Sequence, residues 1–288
     1  MSVNDELGSR MKEYYETIPK TRLMRRTPVA IRIDGKAFHT FTRGFGKPFD
    51  EVLVNTMQHT MKYLCENIQG CILGYAQSDE ITLILIDYQT LTTDAWFDYE
   101  VQKMCSIAAS MATLAFNRFF ENCVKSYYDI EYTMQYPEQC KPEELECIKN
   151  YCNAMNKGAM FDARCFNIPK EEVTNLIYWR QLDATRNSIQ MVGQANFSHK
   201  ELQGCSCNVI QDMLMTQKNI NWNDFPTHLK RGSCCIKQIT KEDLTIEHEF
   251  GEPEIRTKET TKWIIDTEIP IFKGEDRKYI EDLIYVGE

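Results

Sequence analysis

Acidic residues stand at the ends of two apolar runs in this sequence. Asp34 follows a run over residues 29–33, and Asp79 and Glu80 come directly before a run over residues 81–86. Carboxylates at neighbouring strand ends suit two divalent cations held against a triphosphate, because Mg²⁺ takes few protein oxygens and keeps water and phosphate as its other ligands. Two such ions, about 3.5–4 Å apart, activate an attacking oxygen and stabilise a leaving pyrophosphate.

The pattern therefore predicts phosphoryl or nucleotidyl transfer, with Asp34, Asp79 and Glu80 as the catalytic acids. The expected metal ligands are Asp34 and Asp79, assisted by the backbone carbonyl of Gly35. Each acid taken alone has an ordinary alternative, since Asp-Gly is a common turn dipeptide and a single Asp often occupies a turn or a helix cap. The presence of two acidic positions favours metal binding.

Residues after the first acid offer contacts for phosphate. His39 comes four residues after the first predicted strand, where a nucleotide contact and a purely structural histidine are the alternatives. The loop over residues 38–47 contains glycines whose amides can approach phosphate oxygens, and Lys47 adds charge, although the spacing is not that of a P-loop. Phe38 is more typical of a core residue than of a base-stacking surface. Ser78 either satisfies its turn or contacts a triphosphate.

The spacing of apolar residues predicts the elements that position these groups. Strands are expected over residues 28–35, 71–75, 81–87 and 160–166, and helices over residues 48–67 and 95–122, with Pro48 in the first turn of the former. The order strand-helix-strand-strand-helix-strand is the split order of ferredoxin-like sheets. The expected fold class is α+β, with a ferredoxin-like βαββαβ sheet and an added helical region.

The rest of the chain is assigned more coarsely. A short helix precedes the first strand and ends at Pro19, and residues 126–157 are weakly patterned, as in an insertion or a short helix on a loop. Later elements are expected as a helical stretch over 171–197 extended by 209–215, short strands over 233–239 and 262–267, a charged hairpin or loop over 241–261, and a terminal helix over 276–285. This divides the chain into a catalytic region, residues 1–166, and a C-terminal region, residues 167–288.

Composition narrows the function classes. The 288 residues are 43% hydrophobic and 26% charged, with a net charge of −9, which disfavours non-specific coating of nucleic acid but allows a local basic groove. No apolar run approaches the roughly 20 residues of a membrane span, and no signal peptide is evident. The twelve cysteines contain no Cys-x-x-Cys pair, which disfavours zinc and favours reduced thiols in the cytoplasm, with organellar use open for a eukaryotic source.

The densest basic cluster lies just before the first predicted strand. It consists of Lys20, Arg22, Arg25 and Arg26. A solvated, charged turn and a contact with RNA phosphates are the two interpretations, and the position next to the strand that carries Asp34 favours the second.

Five ordered sequence blocks resemble the tRNA-histidine guanylyltransferase family of 3′-to-5′ polymerases. They are Arg-x-Asp-Gly-x-x-Phe-His-x-Phe at 32–41, Lys-Pro-x-Asp at 47–50, Gln-Ser-Asp-Glu at 77–80, Phe-Asp-x-Arg at 161–164 and Trp-Arg-Gln-x-Asp at 179–183. The resemblance covers roughly residues 5 to 240 and fades beyond. Together the blocks are far more specific than any one of them.

The resemblance implies a polymerase-like or cyclase-like palm with two Mg²⁺ ions and ATP, GTP or other NTPs as substrates. It places Asp34 and Asp79 on the metals, with the Gly35 carbonyl assisting and Glu80 close by. The expected nucleotide-binding residues are Gly35, Lys36, Ala37, Phe38, His39, Lys47, Asp50 and Ser78. The expected RNA-binding residues are Lys20, Arg22, Arg25, Arg26, Arg164 and Asn187. The implied partners are tRNA, contacted by the C-terminal region, and further copies of the chain in a homotetramer, with no membrane.

Departures from the family pattern favour its like-protein branch. Enzymes specific for histidine tRNA carry His-Ile-Asn-Asn where this chain has Thr185-Arg186-Asn187-Ser188, and a lysine linked to that specificity aligns with Cys207. Phe49 replaces a common asparagine, and the alternation Gln190, Gln194, Asn196 also fits that branch. The branch resembles repair enzymes that rebuild 5′-truncated tRNAs by pairing with the 3′ strand. The alternatives are the guanylyltransferase that adds G at position −1, a palm-fold nucleotide cyclase and a non-enzymatic RNA-binding module.

Overall fold

Six strands form one antiparallel sheet in the computed structural model, which describes residues 6–246 and 254–287. The strands are β1 (Val29–Gly35), β2 (Cys71–Gln77), β3 (Glu80–Leu85), β4 (Phe161–Asn167), β5 (Ser233–Ile246) and β6 (Glu254–Asp266). Their order across the sheet is β4-β1-β3-β2-β5-β6. The chain is therefore a mixed α+β protein, as the spacing of apolar residues predicted.

Helices cover both faces of the sheet. They are α1 (Glu6–Met11, continued as a π-helical turn over Lys12–Glu16), α2 (Phe38–Phe41), α3 (Glu51–Asn67), α4 (Val101–Tyr127), α5 (Ile130–Gln135), α6 (Pro142–Lys157), α7 (Lys170–Asn196), α8 (His199–Leu202), α9 (Cys207–Lys218), α10 (Thr227–Arg231) and α11 (Lys278–Ile284). Short 3₁₀ turns lie at Trp96–Tyr99, Pro137–Gln139, Trp222–Asp224 and Gly274–Arg277.

Alternation along β1 explains why both faces are covered. Val29, Ile31 and Ile33 are buried in the cluster formed with α3 and α4, whereas Ala30 is buried in the cluster formed with α7 and α11. Successive residues of a strand point to opposite faces, so a strand that is apolar on both sides needs cover on both. By the same alternation Asp34 lies on the face that α7 covers.

The start of α3 differs from the prediction. The helix begins at Glu51, not at Pro48, because the side chain of Asp50 accepts a hydrogen bond from the Leu53 amide and caps it. Pro48 lies in the preceding loop instead of the first helical turn. Such a cap satisfies one of the amides that the first turn of a helix leaves without an intrahelical partner.

Residues 126–157 are more helical than predicted. They contain α5 and the 16-residue α6, whose inward positions Ile148, Tyr151 and Ala154 repeat at spacings of three. Only those three residues of α6 are buried, so its apolar stripe is too narrow to stand out among the acids and polar residues around it.

The C-terminal strands extend the same sheet. β5 pairs with β2, and β6 pairs with β5 through thirteen registered residue pairs that include Cys234 with Asp266 and Ile246 with Glu254. Both strands are longer than predicted, so residues 241–246 and 254–261 are strand and residues 247–253 lie outside the described part. The predicted boundary at residue 166 falls inside β4, one residue before its end, and the sheet continues across it. Over the described ranges, no helix combines the length and apolar character that crossing a bilayer requires.

Candidate active site

Three neighbouring strands, β1, β3 and β4, bring acidic residues together at one end of the sheet. This end of the sheet, where β1 ends and β3 and β4 begin, is called the active edge. Asp34, near the end of β1, faces Glu80 on β3 and Asp162 on β4 in the strand registers. Asp79 lies in the two-residue turn between β2 and β3, and its carbonyl accepts a hydrogen bond of 3.1 Å from the Gly35 amide. The backbones that carry the two predicted metal ligands are thus directly bonded, although 45 residues separate them in sequence.

The electrostatics of this edge disfavour two bare carboxylates. Burial raises the pKa of Asp34, and repulsion from Glu80 and Asp162 raises it further. Burial also raises the pKa of Asp79, a hydrogen bond from Ser78 lowers it in part, and repulsion from Asp34 and Glu80 adds to the rise. Repulsion between close carboxylates is relieved by a cation placed between them, so the charge pattern suits a metal ion.

The donor set at this edge fits magnesium. Asp34 and Asp79 supply two hard carboxylates, and Gly35 adds a backbone carbonyl, which is a typical protein contribution for Mg²⁺ in a phosphate-transfer site. Among the residues that the structure describes, no group of three or more His, Cys, Asp or Glu side chains is arranged to hold a metal. Substrate phosphates and water would therefore have to complete the coordination.

Glu80 belongs to an ion-pair network. It is buried, and its two oxygens accept hydrogen bonds of 2.7 Å from Nε and one terminal nitrogen of Arg180 on α7. Arg32 on β1 donates a further bond of 2.8 Å to the same carboxylate. Arg180 also pairs with Asp183 at 2.8 Å. The carboxylate of Glu80 is therefore directed at arginines, while Asp34 and Asp79 lie beside it.

The loop after β1 is tightly built. The Lys36 amide donates to the Met160 carbonyl at 2.8 Å, and Ala37 has left-handed backbone angles, with φ of 54° and ψ of 40°. Gly35 lies so close to the ring of Phe38 that a β-carbon on it would clash. Phe38 itself is buried in the core, so a nucleotide at this loop can contact only its backbone.

Several predicted nucleotide-binding residues lie on the surface of this edge. Lys36, Ala37, His39, Lys47 and Ser78 are exposed. The hydroxyl of Ser78 donates to the Asp79 carboxylate at 3.0 Å, so its observed contact is within the turn. These side chains are accessible to a triphosphate without rearrangement of the core.

Asp50 is buried and bonded to three protein donors. Its oxygens accept hydrogen bonds from the Leu53 amide at 2.9 Å, the Gly46 amide at 2.8 Å and the Tyr151 hydroxyl at 2.6 Å. Burial and the bond to Asp50 raise the pKa of Tyr151. The carboxylate of Asp50 thus connects the loop after α2, the start of α3 and the middle of α6 by hydrogen bonds.

A small cavity adjoins the turn that carries Asp79. It has a volume of about 90 Å³ and lies between α3, the end of β2, α7 and α10. Gln58, Ser78, Asn187 and His228 are among its lining residues. In the described part of the chain, Nδ1 of His228 is buried without a hydrogen-bond partner. Asn187, predicted to contact RNA, thus lines the same cavity as Ser78, which precedes Asp79.

The basic cluster lies away from the acids. Arg22 pairs with Asp98, and Arg25 pairs with both Asp98 and the fully buried carboxylate of Asp87, which follows β3. Lys20 is 4.0 Å from Glu100, and the Arg26 amide donates to Asp87. Since the cluster precedes β1 and Asp34 lies near the other end of that strand, most of the strand length, roughly 20 Å, separates the cluster from Asp34.

Arg164 lies on the same side as the acids. It belongs to β4 opposite Arg32, is exposed and pairs with Asp162 at 3.2 Å. Its charge is therefore available at the edge where Asp34 ends β1.

The family of the chain follows from a sequence comparison. The profile of the family Thg1, tRNAHis guanylyltransferase, matches residues 8–169, more than half of the chain. The chain belongs to the Thg1 family. The tRNA(His) guanylyltransferase of Saccharomyces cerevisiae is 27% identical over 224 residues, which cover 73% of this chain and 82% of the yeast protein.

Solved structures give the same result over nearly the whole chain. A bacterial tRNA(His) guanylyltransferase (Thg1)-like protein in complex with ATP is 40% identical, covers 98% of this chain and 100% of that chain, and has a TM-score of 0.73. A bacterial Thg1-like protein in complex with GTP is 37% identical with a TM-score of 0.68. The resemblance predicted from the five blocks is confirmed. Because Thg1 proteins are nucleotidyltransferases that act on tRNA 5′ ends, the chain is an enzyme of this class.

Three Thg1-family blocks contain residues whose contacts the sequence analysis missed. Arg32 and Arg180 stand in the first and last blocks and both donate to Glu80, which lies 48 and 100 residues from them. Asp162 stands in the fourth block and faces Asp34. The blocks marked all three positions, but no local pattern indicates that two arginines share one carboxylate.

Proposed function

We propose that this Thg1-family enzyme adds nucleotides in the 3′-to-5′ direction to 5′-truncated tRNA, following the opposite strand as template. The observation that carries the proposal is the meeting of Asp34 and Asp79 at one sheet edge, beside the exposed loop 35–47. The strand order β4-β1-β3-β2, with helices between β1 and β2 and between β3 and β4, supports a ferredoxin-like palm of the polymerase type.

Asp34, Asp79 and the Gly35 carbonyl are the groups that would hold two Mg²⁺ ions. When bound, these ions supply charge neutralisation and activation of the attacking oxygen. In the first reaction an oxygen of the tRNA 5′-monophosphate attacks the α-phosphorus of ATP or GTP, and pyrophosphate leaves. In the second, the 3′-hydroxyl of an incoming NTP attacks the activated 5′ phosphorus, and AMP or GMP leaves.

The exposed residues of the edge supply the binding of the triphosphates. Lys36, His39 and Lys47 lie in or beside the loop, and their amides and charges suit phosphate oxygens. We assign Glu80 and Asp50 as positioning residues within this site. Glu80 fixes β3 against α7 through Arg180, and Asp50 fixes the loop through its three donors.

Template-dependent repair is favoured over addition of a single G to histidine tRNA. The family signature His-Ile-Asn-Asn is replaced by Thr185-Arg186-Asn187-Ser188, and the ATP-bound Thg1-like protein is 40% identical where the yeast guanylyltransferase is 27% identical. Arg164 and Asn187 on the active edge are proposed RNA contacts, and Lys20, Arg22, Arg25 and Arg26 are proposed to reach RNA beyond the opposite end of the sheet. We further propose a homotetramer working in the cytoplasm, where its twelve free thiols would stay reduced.

The deciding experiment uses a 5′-monophosphorylated tRNA that lacks its first nucleotide. The protein is given ATP, Mg²⁺ and all four NTPs, and the opposing base is varied among A, C, G and U. Addition that follows this base supports the repair polymerase. Addition of G alone, restricted to histidine tRNA, supports the guanylyltransferase.

Two further outcomes decide against both assignments. Consumption of nucleotide without RNA, with no addition, supports a palm-fold cyclase. RNA binding that survives chelation of Mg²⁺, with no consumption of ATP, supports a binding module. Asp79→Asn is the matched control in each assay, since a contaminating activity persists in that variant.

A further inference from the structure

Trp179 is an exposed aromatic residue beside the active edge. It lies on α7, and 52% of its surface is exposed, while Trp96 and Trp222 are 6% and 7% exposed. A large aromatic side chain usually buries its apolar area, so one left open beside a catalytic site needs a reason.

Two arginines hold the ring of Trp179 in place. The Cζ atom of Arg180 lies 4.5 Å from the ring centroid, and that of Arg32 lies 5.4 Å from it. Both guanidinium groups are themselves fixed by hydrogen bonds to the buried carboxylate of Glu80. The ring therefore rests on a rigid charged support, in contrast to a side chain that moves freely in solvent.

The same carboxylate connects the ring to the reacting centre. Glu80 follows Asp79 directly and faces Asp34 in the register of β1 and β3. Trp179 is thus linked to the strand ends that carry Asp34 and Asp79 through the two arginines and Glu80. Arg164, opposite Arg32 on β4, adds an exposed positive charge on the same edge.

We propose that the exposed ring of Trp179 stacks on the terminal base at the 5′ end of the RNA that is being extended. This inference rests on the proposed function. An enzyme that copies a template must accept any base at the growing end, and stacking on an aromatic ring is tolerant of sequence because every base has a π-face. Cationic groups next to such a ring also suit the phosphate that follows the base.

The alternative role of Trp179 is structural: its ring would only shield the Glu80 ion pairs from water. The two roles differ in whether the 5′-terminal base of the RNA matters. Shielding does not depend on that base, whereas stacking is lost when the base is removed. A pair of matched RNAs therefore separates them.

The test combines Trp179→Ala with an abasic 5′-terminal nucleotide. A 3′-labelled, 5′-monophosphorylated tRNA acceptor duplex is made with and without the terminal base, and dissociation constants are measured by anisotropy without NTPs. Trp179→Ala is expected to weaken binding of the intact RNA by roughly 5- to 150-fold, the range for loss of one base-aromatic stack. The abasic RNA is expected to bind wild type and Trp179→Ala equally.

Matched variants guard against a folding artefact. Trp179→Phe keeps an aromatic ring and is expected to retain discrimination between the two RNAs. Tyr285→Ala removes an aromatic residue of similar exposure, 54%, from the end of α11 and is expected to bind both RNAs like wild type. Thermal melting of each variant accompanies the titrations.

Equal weakening of both RNAs by Trp179→Ala overturns the inference, as does a wild type that does not discriminate between the two RNAs. The result is separate from the proposed function, because binding is measured without nucleotide addition. If the wild-type protein discriminates between the two RNAs through Trp179 but adds no nucleotide, the stacking inference is retained and the proposed polymerase activity is rejected. If the wild-type protein binds neither RNA, both proposals are rejected.

Discussion

Nε and a terminal nitrogen of Arg180 donate to the two oxygens of Glu80, at 2.7 Å each, and join α7 to the strand that follows Asp79. Both side chains are 7% exposed. A buried charge that loses its partner is costly, whereas the intact pair is nearly balanced by desolvation. The pair therefore serves to fix the position of α7 relative to the turn that carries Asp79 more than to add net stability.

Replacement of Arg180 tests this positioning role. We expect Arg180→Ala to lower the free energy of unfolding by about 3–5 kcal/mol, because Glu80 then remains buried with only Arg32 as an ionic partner. Arg180→Lys is expected to restore only part of the loss, since an ammonium cannot reproduce the two parallel bonds of a guanidinium. Urea denaturation measures both.

The matched control is Arg186→Ala. Arg186 pairs with Asp183 on the same helix but is 61% exposed, so its loss is expected to cost less than about 1 kcal/mol. Equal stabilities of Arg180→Ala and Arg186→Ala would contradict the assigned role of the Glu80 pair.

Loss of either predicted metal ligand should abolish catalysis while the fold is kept. We expect Asp34→Asn and Asp79→Asn each to reduce nucleotide addition by more than about 100-fold, since even groups that only orient metal ligands contribute 10–100-fold. Mg²⁺ with ATP should raise the melting temperature of wild type and leave that of the variants nearly unchanged, because only the folded protein with its ligands intact gains binding energy.

A near-normal rate in Asp34→Asn or Asp79→Asn would remove the two-metal assignment. Asp162→Asn is the informative comparison, since Asp162 faces Asp34 but pairs with Arg164. Its rate is expected to stay within about 10-fold of wild type, which is the lower bound for an outer metal contact.

We expect replacement of Asp50 to lower the free energy of unfolding more than it changes the binding of ATP. Asp50→Ala removes a helix cap, worth about 0.5–2 kcal/mol, and leaves the buried hydroxyl of Tyr151 without its acceptor. With about 1–3 kcal/mol for that unpaired group, the expected loss of unfolding free energy is roughly 1.5–5 kcal/mol. Tyr151→Phe removes only the hydroxyl and should cost about 1 kcal/mol. An Asp50→Ala variant as stable as wild type, with a raised KM for ATP, would show direct nucleotide contact instead.

The basic cluster makes separate predictions for stability and for RNA binding. Arg25→Ala is expected to cost about 1–3 kcal/mol, because the carboxylate of Asp87 is fully buried and keeps only part of its bonding. Arg22→Ala, which breaks the exposed pair with Asp98, should cost less than about 1 kcal/mol. Chemical denaturation of the two single variants measures the difference.

RNA contact by the same cluster is tested by salt dependence. If Arg25 and Arg26 each neutralise a phosphate, the double alanine variant should lower the slope of log K against log salt by roughly 0.9 per lost contact. An unchanged slope would mean that the cluster does not contact RNA and has only a structural role before the start of β1.

His228 should make stability depend on pH. Burial lowers its pKa in the folded state, so below the unfolded-state value of about 6.5 the unfolded chain takes up the proton more readily. The stabilising contribution is therefore complete above that pH and is lost as the pH falls below it and through the lowered pKa of the folded state. We expect His228→Asn to flatten the stability profile between about pH 5 and pH 7. His199→Asn, at an exposed position, is the control, and parallel profiles for wild type and His228→Asn would contradict the prediction.

The sequence alone determined the local elements and the chemistry. Strands β1 to β4 and helices α3, α4 and α7 follow from apolar spacing, which is a local property of the chain. Asp34 and Asp79 are predicted metal ligands because each lies next to an apolar strand, and five ordered blocks indicated the Thg1 family.

Only the tertiary structure decided which groups share a partner. Arg180 reaches Glu80 across 100 residues, and Tyr151 reaches Asp50 across 101. Such bonds depend on how α7 and α6 dock, which no local period encodes. Likewise, β5 and β6 join the sheet through pairing with β2 although residues 241–261 are highly charged. Long-range backbone pairing supplies the hydrogen bonds of these strands, so they do not need the apolar alternation by which a strand is recognised in sequence.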